Sequence, residues 1–109
     1  MLAHALTLPG AWPDEPWEGS PVVKVGRRPG RIFLFVGLDG VSLKLPPDDR
    51  AALVGSYAAT VGDAPYLSRR HWVRVRVPGE VPDDELLELV EDSHRLVVAG
   101  LPAGQRPPS

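Results

Sequence analysis

Thirteen prolines and eleven glycines are spread through 109 residues, and they fall where the apolar periodicity changes. Proline removes a backbone donor and fixes φ, while glycine tolerates left-handed backbone, so both punctuate helices and strands. They cut this chain into short elements and leave no apolar run of about 18 residues, which excludes a membrane-spanning helix. The length suits one domain with one core. Hydrophobic residues make up 43% and charged residues 24%, close to globular averages, so neither a disordered nor a fibrous chain is expected. Cysteine is absent, which removes disulfides, thiolate metal sites and thiol nucleophiles and suits a reducing, cytoplasmic setting. Residues 1–6 carry no basic n-region and run into Pro9-Gly10, unlike a secretory leader.

The periodicity predicts the order α-β-β-β-α-β-β-α. Residues 2–8 read as a short helix closed by Pro9-Gly10. Residues 11–20 read as a proline-rich loop whose Trp12 and Trp17 anchor it to the core. A strand follows over 21–26, with Val23 and Val25 facing one way and Val22 and Lys24 the other. Arg27-Arg28-Pro29-Gly30 turns the chain. Residues 32–36 are nearly all apolar, as in a central strand, and Asp39-Gly40 is a hairpin signal before a third strand over 41–45. Turns this short require antiparallel neighbours.

Pro46-Pro47-Asp48-Asp49 starts a helix that continues over 51–59 and ends by Gly62. Residues 64–67 read as an edge strand, since Pro65 cannot donate to a ladder. In the strand 72–77, Val73, Val75 and Val77 form one face and Trp72, Arg74 and Arg76 the other. Pro82-Asp83-Asp84-Glu85 opens a helix ending by Gly100, with Leu86, Leu89, Val90, Ser93, Leu96 and Val97 on one stripe. The expected architecture is an α+β two-layer sandwich over residues 1–99, with an antiparallel sheet and helices on one face. Residues 100–109, rich in Pro and Gly, read as a disordered tail.

Charge is distributed unevenly. The net value is −2, which argues against coating nucleic acid by bulk electrostatics. Yet residues 1–23 carry −3, residues 24–76 carry +6 and residues 77–109 carry −5. The middle of the chain is therefore the electropositive part.

Catalytic chemistry finds few candidates. There is no Gly-x-Ser-x-Gly elbow, and His4, His71 and His94 match no metal-ligand spacing. The pairs Asp48-Asp49 and Asp83-Asp84 sit at helix starts, where the dipole explains them. Gly26-Arg27-Arg28-Pro29-Gly30 lacks the pattern of a phosphate-binding loop. No enzymatic activity, metal or cofactor is expected.

A surface patch remains. If the strands share one sheet with helices beneath it, Lys24, Lys44, Trp72, Arg74 and Arg76 lie on its exposed face. Arg27, Arg28 and Arg31 cluster at the first hairpin, and Arg69, Arg70 and His71 lead into the last strand. Basic residues interleaved with an aromatic on an open sheet suit phosphate contact with stacking. The same residue types are enriched at protein hot spots, and arginine over tryptophan is also an internal cation–π contact.

Leu8-Pro9-Gly10, Trp17, Ser42-Leu43-Lys44-Leu45-Pro46-Pro47, Ala64-Pro65-Tyr66-Leu67-Ser68-Arg69-Arg70-His71-Trp72-Val73-Arg74-Val75 and Ser93-His94-Arg95-Leu96-Val97 together resemble the MmcQ/YjbR family, over about residues 5–99. The resemblance implies a CyaY-like two-layer fold and a DNA-binding role through a double-wing arrangement, with no enzymatic activity. The positions that match are Lys44, Pro65, Tyr66, Arg69, Arg70, Trp72, Val73, Arg74 and Arg95. The chain departs from the family pattern in a shortened first helix, an extra residue between Trp17 and Pro21, His71 in place of glycine and His94 in place of tyrosine. The expectation is a small monomeric domain that binds DNA weakly and without sequence preference. The alternatives are a protein-interaction module centred on Trp72 and its neighbouring arginines, and a small-molecule site between sheet and helices.

Overall fold

A computed structural model of the chain describes residues 2–37, 39–63, 72–77 and 79–107. The elements run α1 (Leu2–Leu6), β1 (Trp12–Trp17), β2 (Ser20–Val25), β3 (Arg31–Val36), β4 (Gly40–Lys44), α2 (Pro47–Ser56), β5 (Val61–Asp63), β6 (Trp72–Arg76) and α3 (Asp83–Ala99). The six strands form one antiparallel sheet in the order β1-β2-β3-β4-β6-β5. The α+β architecture is thus the expected one, and among the described residues it contains two strands, β1 and β5, that the periodicity does not predict.

Strand β1 is expected as a loop because Trp-Pro-Asp-Glu-Pro-Trp has two prolines and no alternation. It pairs with β2 at the sheet edge, where a proline's missing N–H costs no ladder bond and also discourages pairing with another chain. Two further boundaries differ. Helix α2 stops at Ser56, and Gly62, expected as its C-terminal stop, lies within the short edge strand Val61–Asp63. The edge strand expected over 64–67 lies outside the described residues.

The sheet's inner face is apolar because alternation works as read. Val23, Val25, Val41, Leu43, Val73 and Val75 are all buried and join Leu86, Leu89, Val90 and Val97 of α3 in one core. Strand β3 adds a variation. Val23 pairs with Leu34 but Lys24 pairs with Ile32, which leaves Phe33 as the extra residue of a bulge. Consecutive side chains Phe33 and Leu34 are consequently both fully buried, with Phe33 edge-on to the His94 ring of α3.

The β3–β4 ladder runs from the Val36–Val41 pair to the Leu34–Leu43 pair, and α3 bridges the two strands just beyond it. The buried Ser93 hydroxyl donates to the Phe33 carbonyl (2.6 Å) and accepts from the Lys44 backbone N–H (2.9 Å). One side chain thereby satisfies two main-chain groups that the strands do not satisfy directly. Nearby, His94 Nε2 lies 2.8 Å from the Pro9 carbonyl and His4 Nε2 lies 2.8 Å from a Glu91 carboxylate oxygen, tying the N-terminal segment to α3.

The segment after α3, read as a disordered tail, instead folds back as far as it is described. Leu101 is buried in the core, residues Ala103–Gln105 form a 3-10 turn, and the Gln105 side-chain oxygen accepts from the Arg27 backbone N–H (3.1 Å). Arg106 donates to the Leu101 and Ala99 carbonyls, placing a cation at the negative end of a helix whose own last turn has none. One apolar side chain and two polar anchors hold a segment whose composition alone suggests disorder.

At the β2–β3 hairpin, Trp12 is the fastener. Its Nε1 donates to the Gly26 carbonyl (2.9 Å), and its ring lies so close to Gly30 that a Cβ there would stand 2.6 Å from a ring carbon. Gly30 also has φ +72°, a conformation that side chains disfavour.

Two stability outcomes follow. Ser93→Ala leaves the Phe33 carbonyl and Lys44 N–H unpaired, so thermal unfolding should show a loss of about 2 kcal/mol, or roughly 10 °C in midpoint; an unchanged midpoint would mean that the strands close the gap themselves. Gly30→Ala combines left-handed strain with overpacking against Trp12 and should cost about 2–4 kcal/mol, with a shift in tryptophan emission as the ring is displaced.

Candidate nucleic-acid interface

The register decides which side chains share the outer face, since cross-strand partners point the same way. Asp14 pairs with Val22, Val22 with Phe35, Phe35 with Ser42, Ser42 with Arg74, Lys44 with Trp72, and Gly40 with Arg76. The core helices pack on the opposite side, against the residues of the apolar cluster. Lys44, Trp72, Arg74 and Arg76 therefore come together on one exposed face, as the alternation in β4 and β6 predicts.

Their electrostatic states differ. Arg74 donates to an Asp39 carboxylate oxygen from the β3–β4 turn, and this bond, with the Arg74 charge, holds the Asp39 carboxyl below its usual 3.8. Among the described residues, neither Lys44 nor Arg76 forms an ion pair. A hollow of about 200 Å³ opens beside the Arg74–Asp39 pair, lined also by Ser20, Phe35 and Ser42.

Lys24 departs from expectation. It lies on the outer side but is only 8% exposed, because β1 brings Asp14 to it at 2.7 Å and the Pro29 carbonyl accepts its second bond at 2.8 Å. The Lys24 hydrogen bond, followed by the Glu15 backbone N–H, lowers the Asp14 pKa. With its charge matched and its ammonium 5.4 Å from the Trp12 ring centre, Lys24 is a structural cation. A loop in place of β1 would have left it free.

The hairpin arginines also separate from the sheet patch. Arg28 lies over the Trp12 ring, 4.5 Å from its centre. The Arg31 and Arg27 guanidinium groups lie beside Gly100 and Gly104, 3.7 and 3.8 Å from where a Cβ would stand. They border the C-terminal segment and are exposed. Arg69 and Arg70 lie outside the described residues, as do Pro65, Tyr66 and His71. Arg95, matched from the resemblance, is on α3 and bonds Asp92, away from the sheet's outer face.

The structure adds two aromatics that sequence reading left out of the patch. Trp17, expected to be a core anchor, is 58% exposed and stacks on Phe35 at 6.3 Å between centres, with 19° between planes. Phe35 in turn meets Trp72 edge-on at 5.4 Å. Phe35 was hidden in an all-apolar strand, and Trp17 in a segment read as a loop; the bulge in β3 and the pairing of β1 put both outside.

On the helix side, an apolar groove of about 440 Å³ lies between the N-terminal segment and α3, lined by Leu8, Pro9, Val98 and Pro107. The polar groups at its edge are committed elsewhere: Glu91 to His4, His94 to Pro9 and Arg95 to Asp92. That leaves it without a free group to orient a small molecule. Among the described residues no three carboxylate or imidazole groups converge as a metal site, and no helix is long and apolar enough to cross a membrane.

Comparisons with known proteins agree with this architecture. A crystal structure of a Deinococcus radiodurans protein with the DUF419 family-model domain superposes with a TM-score of 0.87 at 26% identity, covering 95% of this chain and 80% of that one. A Pseudomonas syringae protein solved by structural genomics shares the fold, with a TM-score of 0.70 at 20% identity over 87% of this chain and 93% of that one. Among curated proteins none matches significantly. The YjbR family model matches residues 6–96, which includes every element from β1 to β6 and most of α3, and the chain belongs to the YjbR family.

Proposed function

We propose that this chain is a non-enzymatic DNA-binding domain whose contact surface is the outer face of the sheet. The observation that carries this reading is the meeting of Lys44, Arg74 and Arg76 with Trp72 on a face that the helices leave open. Two of those cations have no ion-pair partner among the described residues, so a phosphate meets them without displacing a carboxylate. The helices support the same orientation from behind: α2 and α3 carry eight carboxylates against Arg50 and Arg95, so a polyanion is directed to the sheet side.

Within the double-wing arrangement that the family resemblance implies, the β2–β3 hairpin takes a secondary part. Arg28 is spent on Trp12, and Arg27 and Arg31 lie at the hairpin's junction with the C-terminal segment. Binding should be weak, with Kd on the order of 10⁻⁴ to 10⁻⁶ M at physiological salt. The exposed Trp17 favours a second reading, a protein hot spot. A pull-down with nuclease present separates them, since partners bridged by nucleic acid are lost on digestion.

Three measurements test the DNA reading. The Lys44→Ala, Arg76→Ala double variant should lower the slope of log K against log salt by roughly 1.5, at 0.7–0.9 per phosphate contact. The Arg27, Arg28 and Arg31 to Ala triple variant should change that slope less; the reverse ranking would move the contact surface to the hairpin. Asp39→Asn should tighten binding several-fold by releasing Arg74. Because the Asp39 pKa is depressed, its charge is present above about pH 4 and is lost only as pH falls through the lowered value. The effect of Asp39→Asn should therefore be constant between about pH 5 and pH 8.

A further inference from the structure

Resting on the DNA reading above, we infer that the sheet face is built for an unpaired strand, with phosphates over β4 and β6 and bases leaning toward β1. Three features point this way together.

The first is the aromatic row. Trp17, Phe35 and Trp72 are in ring contact across the face, and Trp17 keeps 58% of its surface open. In a duplex the base faces are already stacked on each other, so an open indole gains nothing there unless the helix is pried apart. An unpaired base offers a free π-face to it.

The second is the polarity of the face. Its β4–β6 side carries Lys44, Arg74 and Arg76, while the β1–β2 hairpin at the other side carries Asp14, Glu15 and Glu18. Among the described residues Asp14 is matched by Lys24, and Glu15 and Glu18 form no ion pair. A duplex lying across the row would bring its second backbone against exposed carboxylates. A single strand has phosphates on one side and bases on the other, and that order matches cations on β4 and β6 with the Phe35 and Trp17 rings farther toward the acidic edge.

The third is spacing. Alternate side chains on β6 recur every two residues, about 6.8 Å apart, or twice the 3.4 Å axial rise of one strand in a duplex. Trp72, Arg74 and Arg76 can therefore lie under successive nucleotides of one strand running along β6. The 200 Å³ hollow between Phe35 and Arg74, with the hydroxyl-bearing Ser20 and Ser42 in its lining, offers hydrogen-bonding groups to the edge of a base stacked beside it.

The test is an anisotropy titration of the full chain with a roughly 12-nucleotide oligo-dT and with a duplex of equal length, at about 50 and 200 mM salt. Oligo-dT should bind at least tenfold more tightly than duplex and should quench tryptophan emission. Trp17→Ala should weaken oligo-dT binding about tenfold or more, in line with loss of one stacked base, and leave duplex binding unchanged. Trp17→Phe should restore most of the affinity. Since Trp17 is exposed, an unaltered unfolding midpoint will show that both variants are folded. Duplex binding equal to or tighter than oligo-dT, or an unaffected Trp17→Ala, overturns the single-strand inference and leaves the DNA reading standing. Binding to neither probe at low salt overturns the DNA reading itself.

Discussion

A single hydroxyl holds the two layers in register. Beyond the Leu34–Leu43 pair, where the β3–β4 ladder ends, Ser93 enters from α3 and joins the Phe33 carbonyl to the Lys44 N–H. Hydrophobic contacts along α3 would tolerate sliding of the helix by a fraction of a turn, because burial is non-directional. A buried hydroxyl bonded on two sides does not, since any shift leaves a main-chain group unpaired in an apolar surround. This fixes where α3 lies along the apolar face that it covers, while the opposite face stays open. The bulge against β2 places Phe33 and Leu34 together in the core, and Phe35 points outward, where it joins Trp17 and Trp72.

The periphery is held by directional contacts of the same kind. The N-terminal segment is pinned by His94 and His4, the C-terminal segment by Gln105 and Arg106, and the β2–β3 hairpin by Trp12. Tyr57 adds one more, donating to Glu85 at 2.8 Å across the gap between the end of α2 and the start of α3, which raises its own pKa. In a domain this small the apolar core is limited. Such polar fasteners attach segments that bury little surface by themselves.

What could be read from sequence was whatever repeats. Val41, Leu43 and Leu45, and again Val73 and Val75, alternate as a half-buried strand must, and all are buried. The stripe on α3 and the acidic helix starts are periodic or positional in the same way. Features that depend on a partner distant in sequence were not legible. β1 has no alternation and is a strand only because β2 offers it an edge. Lys24 alternates onto the outer face as expected, but its neutralisation depends on Asp14, ten residues earlier in a segment that reads as a loop. Leu101 is a lone apolar residue amid proline and glycine, and nothing local announces that it is buried. Ser93 lies on the expected face of α3, yet its hydroxyl acquires its role only through main-chain groups of Phe33 and Lys44, which are distant in sequence.

The net charge of −2 is a poor guide to how the sheet face meets an anion. At physiological salt the Debye length is about 8 Å, while the molecule is 26 Å across its shortest axis. Carboxylates on the outward side of α2 and α3 are therefore largely screened from a ligand on the opposite surface, and the local balance decides. There Lys44 and Arg76 stand unpaired among the described residues, and Arg74 is shared with Asp39. Asp39 is exposed and set in a turn, so its hold on Arg74 is the kind of surface ion pair that contributes little and weakens with salt. A phosphate can compete for Arg74 on nearly equal terms. Asp14 differs because the Lys24 it pairs with is nearly buried and bonded also to the Pro29 carbonyl, so that pair is a fixed part of the framework. The same chemical pairing, a carboxylate with a cation, is thus exchangeable at one end of the sheet and structural at the other, and the difference lies in burial.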